Sequence, residues 1–461
     1  MYSSAFHSTF SGDIVTPSDP SYKDSCARWA ANASRPAKMI AYAKTPEDVA
    51  LAIKYAKATG LRIAVHGGGH SAAGASSSEG GLVIDLSRYL NTVSIDPDKK
   101  VAYVGGGATW KSVDYAAIEH GLATVAGTVN HTGVGGLAVG GGFGWLSGAH
   151  GLVIDNLMQA TVVTADGSIR IASETNNPDL FYGIRGGGSN FGVVTEFVLK
   201  LHPQRRTVFA GITIFLPEKC TEIANLFDEW YPNIKENEAV FAAMSQTPDG
   251  MPCIILLFFF NGSEADGREN FKKFFELGPI VDGCKERPYE ECNELLLSIA
   301  TPGKNYYMKG GVLSPTPSLD FNMTKMNRVT EFFKAGHHNY VTFIHEYIPL
   351  QKIKSVSSSA TPYPRECNGN AVIVIQWDND TPEKTAAARE FSHELIKMLP
   401  EGEGYSNYSP DSDTLPKAGS VAPNKSRAMF GEHYDRLQSV KREYDPGMVF
   451  NKWFAIAPAA A

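Results

Sequence analysis

Cysteine is scarce in this chain and is never paired in sequence. Six cysteines are spread over 461 residues, and no two of them form a Cys-x-x-Cys pair. Zinc sites and dithiol redox centres use closely spaced thiols, so the sequence predicts no metal site and no dithiol centre. Scattered free thiols are the expectation, and a disulfide in a secreted form is the alternative that stays open. The six are Cys26, Cys220, Cys253, Cys284, Cys292 and Cys367.

Long apolar runs and a strong excess of one charge are also missing. The apolar stretch Ile254–Phe260 has the length of a strand, whereas a membrane-spanning helix needs about 20 residues. The formal net charge of −7 creates no field that attracts nucleic acid or an anionic membrane. We therefore expect neither as a partner. The first ten residues lack the basic and apolar regions of a secretory signal, so the localisation stays open between the cytoplasm and secretion with a signal removed.

Two common nucleotide-binding motifs are absent as well. The chain contains neither G-x-G-x-x-G nor G-x-x-x-x-G-K-[ST], which disfavours a Rossmann site and a P-loop. Glycine itself is plentiful, and more than half of the 44 glycines lie between residues 60 and 192. One triple glycine is compatible with a tight turn, but several clusters together indicate a long ligand lying against the backbone. The clusters lie at 67–69, 105–107, 133–136, 140–144 and 186–188.

The first glycine cluster is followed directly by a histidine. A predicted strand, Leu61–Val65, runs into Gly67–Gly69, and His70 comes next. Successive backbone N–H groups in such a turn form a concave site for anions, and an imidazole beside them reaches whatever the turn holds. The pattern predicts a diphosphate cradle with a reactive histidine at its edge.

The remaining elements predict an α+β architecture. Thr45 is a suitable N-cap for a helix that ends at Gly60. The pair Asp166-Gly167 between two apolar runs predicts a hairpin with a type I′ turn. Residues 205–404 are poor in glycine and alternate long apolar strands with helical stretches. That pattern favours an antiparallel sheet covered by helices on one face.

Several motifs, taken in order, resemble those of a known family. The chain is similar to the FAD-linked oxidases of the vanillyl-alcohol-oxidase superfamily, and most of all to the berberine-bridge-enzyme-like proteins. The motifs that carry the resemblance are Arg62-x-x-x-His-Gly-Gly-Gly-His70, Gly81-Leu-Val-Ile-Asp85, Gly135-Gly-x-x-x-Gly-Gly-Gly-Phe-Gly-Trp-Leu-Ser147, Gly151-Leu-Val-Ile-Asp155-Asn156, Leu180-Phe-Tyr-Gly-Ile-Arg-Gly-Gly-Gly-Ser-Asn-Phe-Gly192 and Lys441-x-x-Tyr-Asp-Pro446-x-x-x-Phe450-Asn451.

The resemblance implies a domain plan and a cofactor. It implies a two-subdomain FAD-binding domain over residues 1–204, with a PCMH-type core at about 33–204. A substrate domain follows over 205–404, and the segment 405–461 returns to the FAD-binding domain. The cofactor implied is FAD.

The resemblance also assigns residues to the FAD. The family's equivalent of His70 is bonded through a ring nitrogen to the 8α-methyl of the flavin; an ordinary hydrogen-bonding histidine is the alternative. The other cofactor-binding residues implied are Arg62, His66, Gly67, Gly68, Gly69, Ser71, Gly74, Asp85, Thr128, Val129, Asn130, His131, Thr132, Gly135, Gly136, Gly140, Gly141, Gly142, Gly144, Trp145, Asp155, Asn156, Val194 and Asn451.

Two positions depart from the family pattern. Many relatives carry a second link from a cysteine to flavin C6, but Val129 stands at that position. Valine forms no thioether, so we expect a single covalent bond, and an oligosaccharide substrate becomes a less favoured alternative. Thr132 lies near the family's oxygen-access position, where small aliphatic residues are usual. The choice between oxidase and dehydrogenase therefore stays open.

The candidate catalytic residues come from the C-terminal half. Tyr405-Ser-Asn-Tyr408 resembles the family's Tyr-x-Asn-Tyr motif, with Tyr408 as the expected base and Tyr405 lining the site. A phenol with a pKa near 10 needs a nearby cation to act as a base at neutral pH, and Lys309 is the candidate cation. Glu346 and Gln376 lie on apolar strands, where they are either pocket-wall residues or satisfied core polar groups.

These inferences together predict a covalent FAD oxidase. A base takes a proton from a small substrate, hydride passes to flavin N5, and O₂ is reduced to H₂O₂. The expected substrate is a secondary metabolite of aromatic, alkaloid or polyketide character, and oxidative cyclisation is one form that the reaction could take. An oligosaccharide oxidase, a flavin dehydrogenase and a non-redox cyclase that uses the flavin site are the alternatives. The sequence does not specify the oligomeric state.

Overall fold

The computed structural model describes residues 2–247, 249–336, 338–366, 368–410 and 424–460. Its strands are β1 Asp13–Val15, β2 Met39–Tyr42, β3 Ile63–His66, β4 Leu82–Asp85, β5 Val93–Asp96, β6 Val101–Gly105, β7 Leu122–Ala123, β8 Leu157–Val163, β9 Ile169–Ser173, β10 Val193–Lys200, β11 His202–Pro203, β12 Thr207–Phe215, β13 Glu238–Gln246, β14 Pro252–Phe260, β15 Val281–Asp282, β16 Lys285–Pro288, β17 Asn305–Val312, β18 Tyr340–Tyr347 and β19 Asn370–Trp377.

Helices connect and cover these strands. They are α1 Tyr2–Thr9, α2 Tyr22–Cys26, α3 Pro46–Thr59, α4 Trp110–Ile118, α5 Val134–Val139, α6 Ser147–His150, α7 Pro178–Ile184, α8 Cys220–Trp230, α9 Glu264–Asn270, α10 Lys272–Glu276, α11 Pro317–Asp320, α12 Met323–Lys334, α13 Gln351–Lys354, α14 Pro382–Ile396, α15 Asn424–Phe430 and α16 Tyr434–Tyr444. None of the helices in the described ranges combines the length and the apolar character needed to cross a bilayer.

The first sheet has four strands in the order β1-β2-β4-β3. Strands β2 and β3 run parallel to β4, while β1 is antiparallel to β2. Helix α3 makes the connection from β2 to β3, and it begins and ends as the sequence predicts. The Thr45 side chain accepts a hydrogen bond from Asp48 N–H, and Gly60 closes the helix in the left-handed region with φ of 69°.

The second sheet is antiparallel, with the order β5-β6-β10-β8-β9. The predicted hairpin between β8 and β9 is present, but its turn is not type I′. A type I′ turn needs positive φ at both central residues, and here only Gly167 has it, with φ of 81°. The Asp166 carboxylate instead accepts hydrogen bonds from Thr164 and Ser168, which stabilises a wider turn.

The third sheet has eight strands and confirms the predicted antiparallel sheet. Its order is β15-β12-β14-β13-β18-β19-β17, and β16 also pairs with β12. Alternate side chains of each strand face opposite sides. In β13, Val240 and Ala242 pack with Phe227 of α8 and Val329 of α12, whereas Phe241 belongs to the core shared with the N-terminal half. Helices therefore cover one face, and the other face looks toward the first two sheets.

The C-terminal segment packs against the N-terminal half through a buried lysine. Lys441 Nζ in α16 donates hydrogen bonds of 2.6 Å to Asn190 O, Phe450 O and Asp445 Oδ2. Lys441 and Asp445 are both fully buried, so their charges compensate each other out of water. This arrangement fixes the backbone on which Asn451 and Trp453 are carried.

The cysteines of the described residues are free and buried. They are Cys26, Cys220, Cys253, Cys284 and Cys292. Cys367 lies outside the described residues. Within the described ranges, no group of three or more histidine, cysteine or acidic side chains could hold a metal ion.

Candidate active site

A large cavity lies where the first two sheets, the third sheet and the C-terminal segment meet. Loops of the N-terminal half form one wall, and the open face of the third sheet forms the opposite wall. Residues 450–453, which follow α16, complete the lining. The cavity therefore draws on all parts of the chain, and each contributes a different kind of group.

Glycine backbone forms much of the N-terminal wall, because three loops approach each other more closely than side chains would allow. A Cβ on Gly68 would lie 2.4 Å from Gly133 Cα, and a Cβ on Gly67 would lie 2.8 Å from Gly106 O. At Gly136 no atom would lie within 4 Å of a Cβ, and this glycine lines the cavity. The wall is thus an exposed stretch of backbone against which an extended ligand can lie.

His66 and Asp85 fix the strands from which this wall extends. His66 Nδ1 lies 2.5 Å from Asp85 Oδ2, and Asp85 is buried. Burial favours the protonated form of Asp85, but the hydrogen bonds from His66 and Ser87 outweigh it, so the pKa of Asp85 is lowered. The pair joins the ends of β3 and β4 and orients the turn that follows β3.

His70 stands at the end of that turn, within a stack of aromatic rings. The Trp29 ring lies on one side, with ring centres 4.2 Å apart and planes 11° from parallel. His131 lies 5.0 Å away at 28°, and Tyr306 stacks on Trp29 at 3.9 Å. A hydrogen bond of 3.1 Å joins His70 Nε2 to His131 Nδ1. His70 lines the cavity, and Nδ1 is the ring nitrogen that His131 does not engage.

The His70 ring is kept neutral by its surroundings. Removal from bulk water lowers its pKa to about 3, and the adjacent His131 contributes in the same direction. A neutral imidazole retains the lone pair that a nucleophile requires.

On the opposite wall, Glu346 is the one carboxyl group that lines the cavity among the residues that the structure describes. Glu346 lies on β18, and its Oε1 accepts a hydrogen bond of 2.8 Å from the Tyr408 hydroxyl. Oε2 is buried and has no hydrogen-bond partner among the described residues. Burial raises the pKa of Glu346 to about 8, although the bond from Tyr408 acts in the opposite direction.

Apolar side chains line the same cavity as this carboxyl group. They come from several strands of the third sheet and from the segment that precedes β17. These lining residues are Phe241, Leu296, Ile299, Met308, Ile344, Val372 and Val374. An ionised carboxylate in such surroundings loses hydration that apolar groups do not replace.

Comparison with known proteins identifies the family. A family model described as an FAD binding domain matches residues 37–173, and one described as berberine and berberine like matches residues 404–456. The FAD-linked oxidoreductase pgmH of Aspergillus terreus is 32% identical, over 98% of this chain and 95% of that protein. The chain belongs to the berberine-bridge-enzyme-like family of FAD-linked oxidoreductases. FAD is its cofactor.

Solved structures share the fold of this family member over its whole length. The 6-hydroxy-D-nicotine oxidase of Arthrobacter nicotinovorans superposes with a TM-score of 0.86 at 24% identity, covering 98% of this chain and 99% of that chain. The xylooligosaccharide oxidase of Myceliophthora thermophila gives a TM-score of 0.82 at 22% identity and covers 100% of both chains. The predicted α+β fold of the vanillyl-alcohol-oxidase type is therefore confirmed.

The cavity fits FAD on two observations. The first is the glycine wall, whose backbone is open at Gly136. The second is His70 on the same wall, whose Nδ1 is not engaged by His131. About half of the predicted cofactor residues line this cavity. Those that do are Gly67, Gly68, Gly69, His70, Ser71, Thr128, Val129, Thr132, Gly135, Gly136, Val194 and Asn451.

The other predicted cofactor residues are not among those that line the cavity. Asp155 is paired in a bidentate contact with buried Arg365, at 2.7 and 2.9 Å. The Trp145 indole donates to Asn293 and packs on Phe241, behind the lining. The full set outside the wall is Arg62, His66, Gly74, Asp85, Asn130, His131, Gly140, Gly141, Gly142, Gly144, Trp145, Asp155 and Asn156.

The predicted position of Lys309 beside Tyr408 is wrong. It pairs with Ile373 across β17 and β19, and cross-strand partners share a face of the sheet. Ile373 packs in the helix-covered core, while the neighbouring Met308 lines the cavity. Lys309 thus lies on the far face and supplies no cation to Tyr408.

The structure also corrects the predicted role of Tyr408 as the catalytic base. Burial raises its pKa well above the usual value, and the nearby Glu346 charge raises it further. A phenol in this state is a hydrogen-bond donor rather than a base. Tyr405 does line the cavity, where its hydroxyl accepts hydrogen bonds from Gly142 N–H and Asn407 Nδ2.

Gln376 shares the strand face of Val374 but is not part of the cavity wall. It is buried within β19, opposite Tyr306 and Tyr340 in the neighbouring strands. The reading of a core polar residue fits this position better than that of a pocket residue.

Several site residues carried no usable signal in the sequence. Trp29 lies in an irregular N-terminal segment, about forty residues before His70, and nothing near it marks an aromatic platform. Met308 and Ile344 lie on strands whose inward face could have been found only from the strand register.

Proposed function

We propose that this protein is a covalent FAD oxidase of a small, largely apolar metabolite that carries one proton-donating group. The observation that supports this most directly is the Glu346–Tyr408 pair. A buried carboxyl group lines the cavity, with one oxygen held by a phenol and the other without a hydrogen bond from the described residues. It is suited to accept one proton from a bound substrate.

Glu346 is the proton acceptor in this proposal. Its pKa of about 8 lies close to neutral pH, so a useful fraction is ionised and the carboxylate is still basic enough to remove a proton from a hydroxyl, phenol or amine. Tyr408 stabilises the ionised form because its hydroxyl donates to Oε1. Oε2 is then the oxygen left to receive the substrate's proton.

The apolar wall supports the proposed substrate class. A saccharide would bring many hydroxyl groups against Phe241, Leu296, Ile299 and Met308, and each hydroxyl left without a partner would cost free energy. One structural relative is named as an oxidase of 6-hydroxy-D-nicotine and another as an oxidase of xylooligosaccharides. The lining favours a small cyclic metabolite over a sugar chain.

The cofactor supplies the redox chemistry. When bound, FAD would supply a hydride acceptor for the substrate carbon next to the deprotonated group and a route for two electrons to O₂, which would give H₂O₂. The chain's own residues hold the substrate against the flavin, exclude water with apolar side chains, and remove the proton at Glu346.

His70 is the single proposed attachment point of the flavin. It lies half-buried on the cavity wall, where removal from bulk water favours the neutral ring. Val129 also lines the cavity, at the position where relatives carry a second link, and its side chain forms no bond to a flavin. One tether rather than two is therefore expected.

The proposal is tested by mixing the purified holoenzyme with candidate cyclic amines, phenols and alcohols under anaerobic conditions. A substrate should bleach the flavin absorbance, and air should restore it with one H₂O₂ per turnover. Bleaching followed by slow reoxidation in air would favour a dehydrogenase, for which Thr132 on the cavity wall is a reason. Bleaching by oligosaccharides alone would overturn the substrate class.

A further inference from the structure

We propose that His131 is a positioning residue for flavin attachment, which selects the reactive tautomer of His70 and accepts the proton that the His70 ring must release. The inference rests on the covalent link at His70 in the proposed function. His131 does not line the cavity, so its action passes entirely through His70.

The contact between the two imidazoles is well defined. His70 Nε2 and His131 Nδ1 are 3.1 Å apart, and the rings are stacked with centres 5.0 Å apart. Trp29 packs on His70 at 4.2 Å, and its indole N–H is bonded to Ala300 O at 2.8 Å. Stacking therefore sets the plane of the His70 ring, and the His131 contact sets its rotation within that plane.

This contact decides which nitrogen of His70 can react. Two neutral imidazoles share one hydrogen across such a contact, so one nitrogen donates and the other accepts. If His131 Nδ1 accepts, then His70 Nε2 carries the hydrogen and His70 Nδ1 keeps its lone pair. If the direction is reversed, Nδ1 carries the hydrogen and the Nε2 lone pair is occupied, so neither nitrogen can attack. Attachment requires the first arrangement.

The same contact provides an acceptor for the proton that the His70 ring must lose during attachment. Bond formation at one nitrogen of an imidazole leaves the ring positively charged until the other nitrogen loses its proton. A positive ring is unfavourable at this depth, as the lowered pKa of His70 indicates. His131 Nδ1, at 3.1 Å, is in place to take the proton from Nε2 as the bond forms, although burial lowers the pKa of His131 as well.

The overall attachment balances with O₂ as oxidant. A bond forms between the His70 nitrogen and the 8α carbon, one C–H bond of the 8α-methyl group and one N–H bond of His70 break, and two protons leave. The two electrons stay on the flavin and are then transferred to O₂, which with two protons gives H₂O₂.

A matched pair of substitutions tests this role. In His131→Asn the amide oxygen can accept the hydrogen bond from His70, whereas His131→Leu has nearly the same size and shape and no acceptor. The wild type and each variant are produced in flavin-limited cells so that they carry no flavin, then incubated with FAD in air and sampled over time. Acid denaturation and mass measurement then give the covalent fraction, and the native absorbance spectrum gives total bound FAD.

We expect attachment to be slower than in the wild type in His131→Asn, whose amide holds the tautomer but cannot take up the proton, and about tenfold slower again in His131→Leu at equal FAD occupancy. Equal rates in the two variants would overturn the tautomer role, and a wild-type rate in His131→Asn would overturn the role of proton acceptor. If His131→Leu does not fold, His131→Ala takes its place, since it removes the acceptor without adding volume. Wild-type protein that releases all its FAD in acid would instead refute the covalent link itself.

Discussion

The hydroxyl of Tyr408 lies 2.8 Å from Glu346 Oε1 and donates a hydrogen bond to it, while Glu346 Oε2 is buried with no hydrogen-bond partner among the described residues. The two oxygens of this cavity-lining carboxyl group are thus inequivalent, because only Oε1 is engaged by Tyr408. Its chemistry can be tested without knowledge of the natural substrate's full structure, once any bleaching substrate is found.

Glu346→Gln should remove the proton acceptor while keeping the size of the side chain. We expect the rate of anaerobic flavin bleaching to fall by about 10²–10⁴-fold, the usual contribution of a general base. Stopped-flow absorbance measures this rate. The FAD content of the variant should match that of the wild type, and an unchanged bleaching rate would remove Glu346 from the mechanism.

The bleaching rate should rise with pH through about 8, because the carboxylate form of Glu346 is the active one and its pKa is about 8. Tyr408→Phe removes a hydrogen bond that lowers this pKa. The midpoint of the profile should therefore move to higher pH in that variant. A midpoint that moves to lower pH, or does not move, would show that Tyr408 does not stabilise the carboxylate.

The free energy of unfolding should depend on pH because the Glu346 carboxyl is buried. The pKa of Glu346 is raised from 4.5 to about 8 in the folded state, so between these values the unfolded chain releases a proton that the folded protein keeps. The free energy of unfolding then falls by about 1.4 kcal/mol per pH unit across that window. Glu346→Gln should raise the melting temperature above that of the wild type at pH 8 and have little effect at pH 4.5. A difference of equal size at both pH values would contradict this linkage.

His70→Ala should release the cofactor on denaturation. FAD should appear in the acid supernatant of the variant and stay with the precipitated wild-type chain, as absorbance and protein mass can show. Since an alkylated flavin is the stronger oxidant, the reduction potential of the variant should also be lower, measured against a reference dye. Covalent FAD in His70→Ala would place the tether elsewhere.

Lys441→Met should destabilise the junction between the C-terminal segment and the N-terminal half. The substitution leaves Asp445 fully buried without its counter-charge, which costs about 3–5 kcal/mol. We expect a lower melting temperature and a lower FAD content in the purified protein, since Asn451 and Trp453 follow the segment that Lys441 holds. Arg442→Met, on the exposed side of the same helix, is the matched control and should change neither.

Local patterns in the sequence were sufficient for part of this molecule. The Gly67–His70 turn, the Thr45 cap of α3 and the helix-covered sheet follow from glycine geometry, capping and strand alternation, all of which act within a few residues. These features are present as expected.

Features set by distant contacts were not accessible in the same way. The side of the sheet on which Lys309 lies depends on the register of β17, and a shift of one residue exchanges the two faces. The roles of Tyr408 and Glu346 depend on burial by segments far apart in the chain, and burial determines which of the two groups gains or loses a proton. The Trp29 platform likewise exists only after the chain has folded.

The ring stack around His70 is assembled from four separate stretches of chain. Trp29 comes from the N-terminal segment, His131 from the loop before α5, and Tyr306 from β17 of the third sheet. In a chain in which these stretches are not packed together, the His70 ring is not held in an ordered position. A flavin carried on His70 would therefore serve as a lasting record of correct folding, readable in each molecule by its mass.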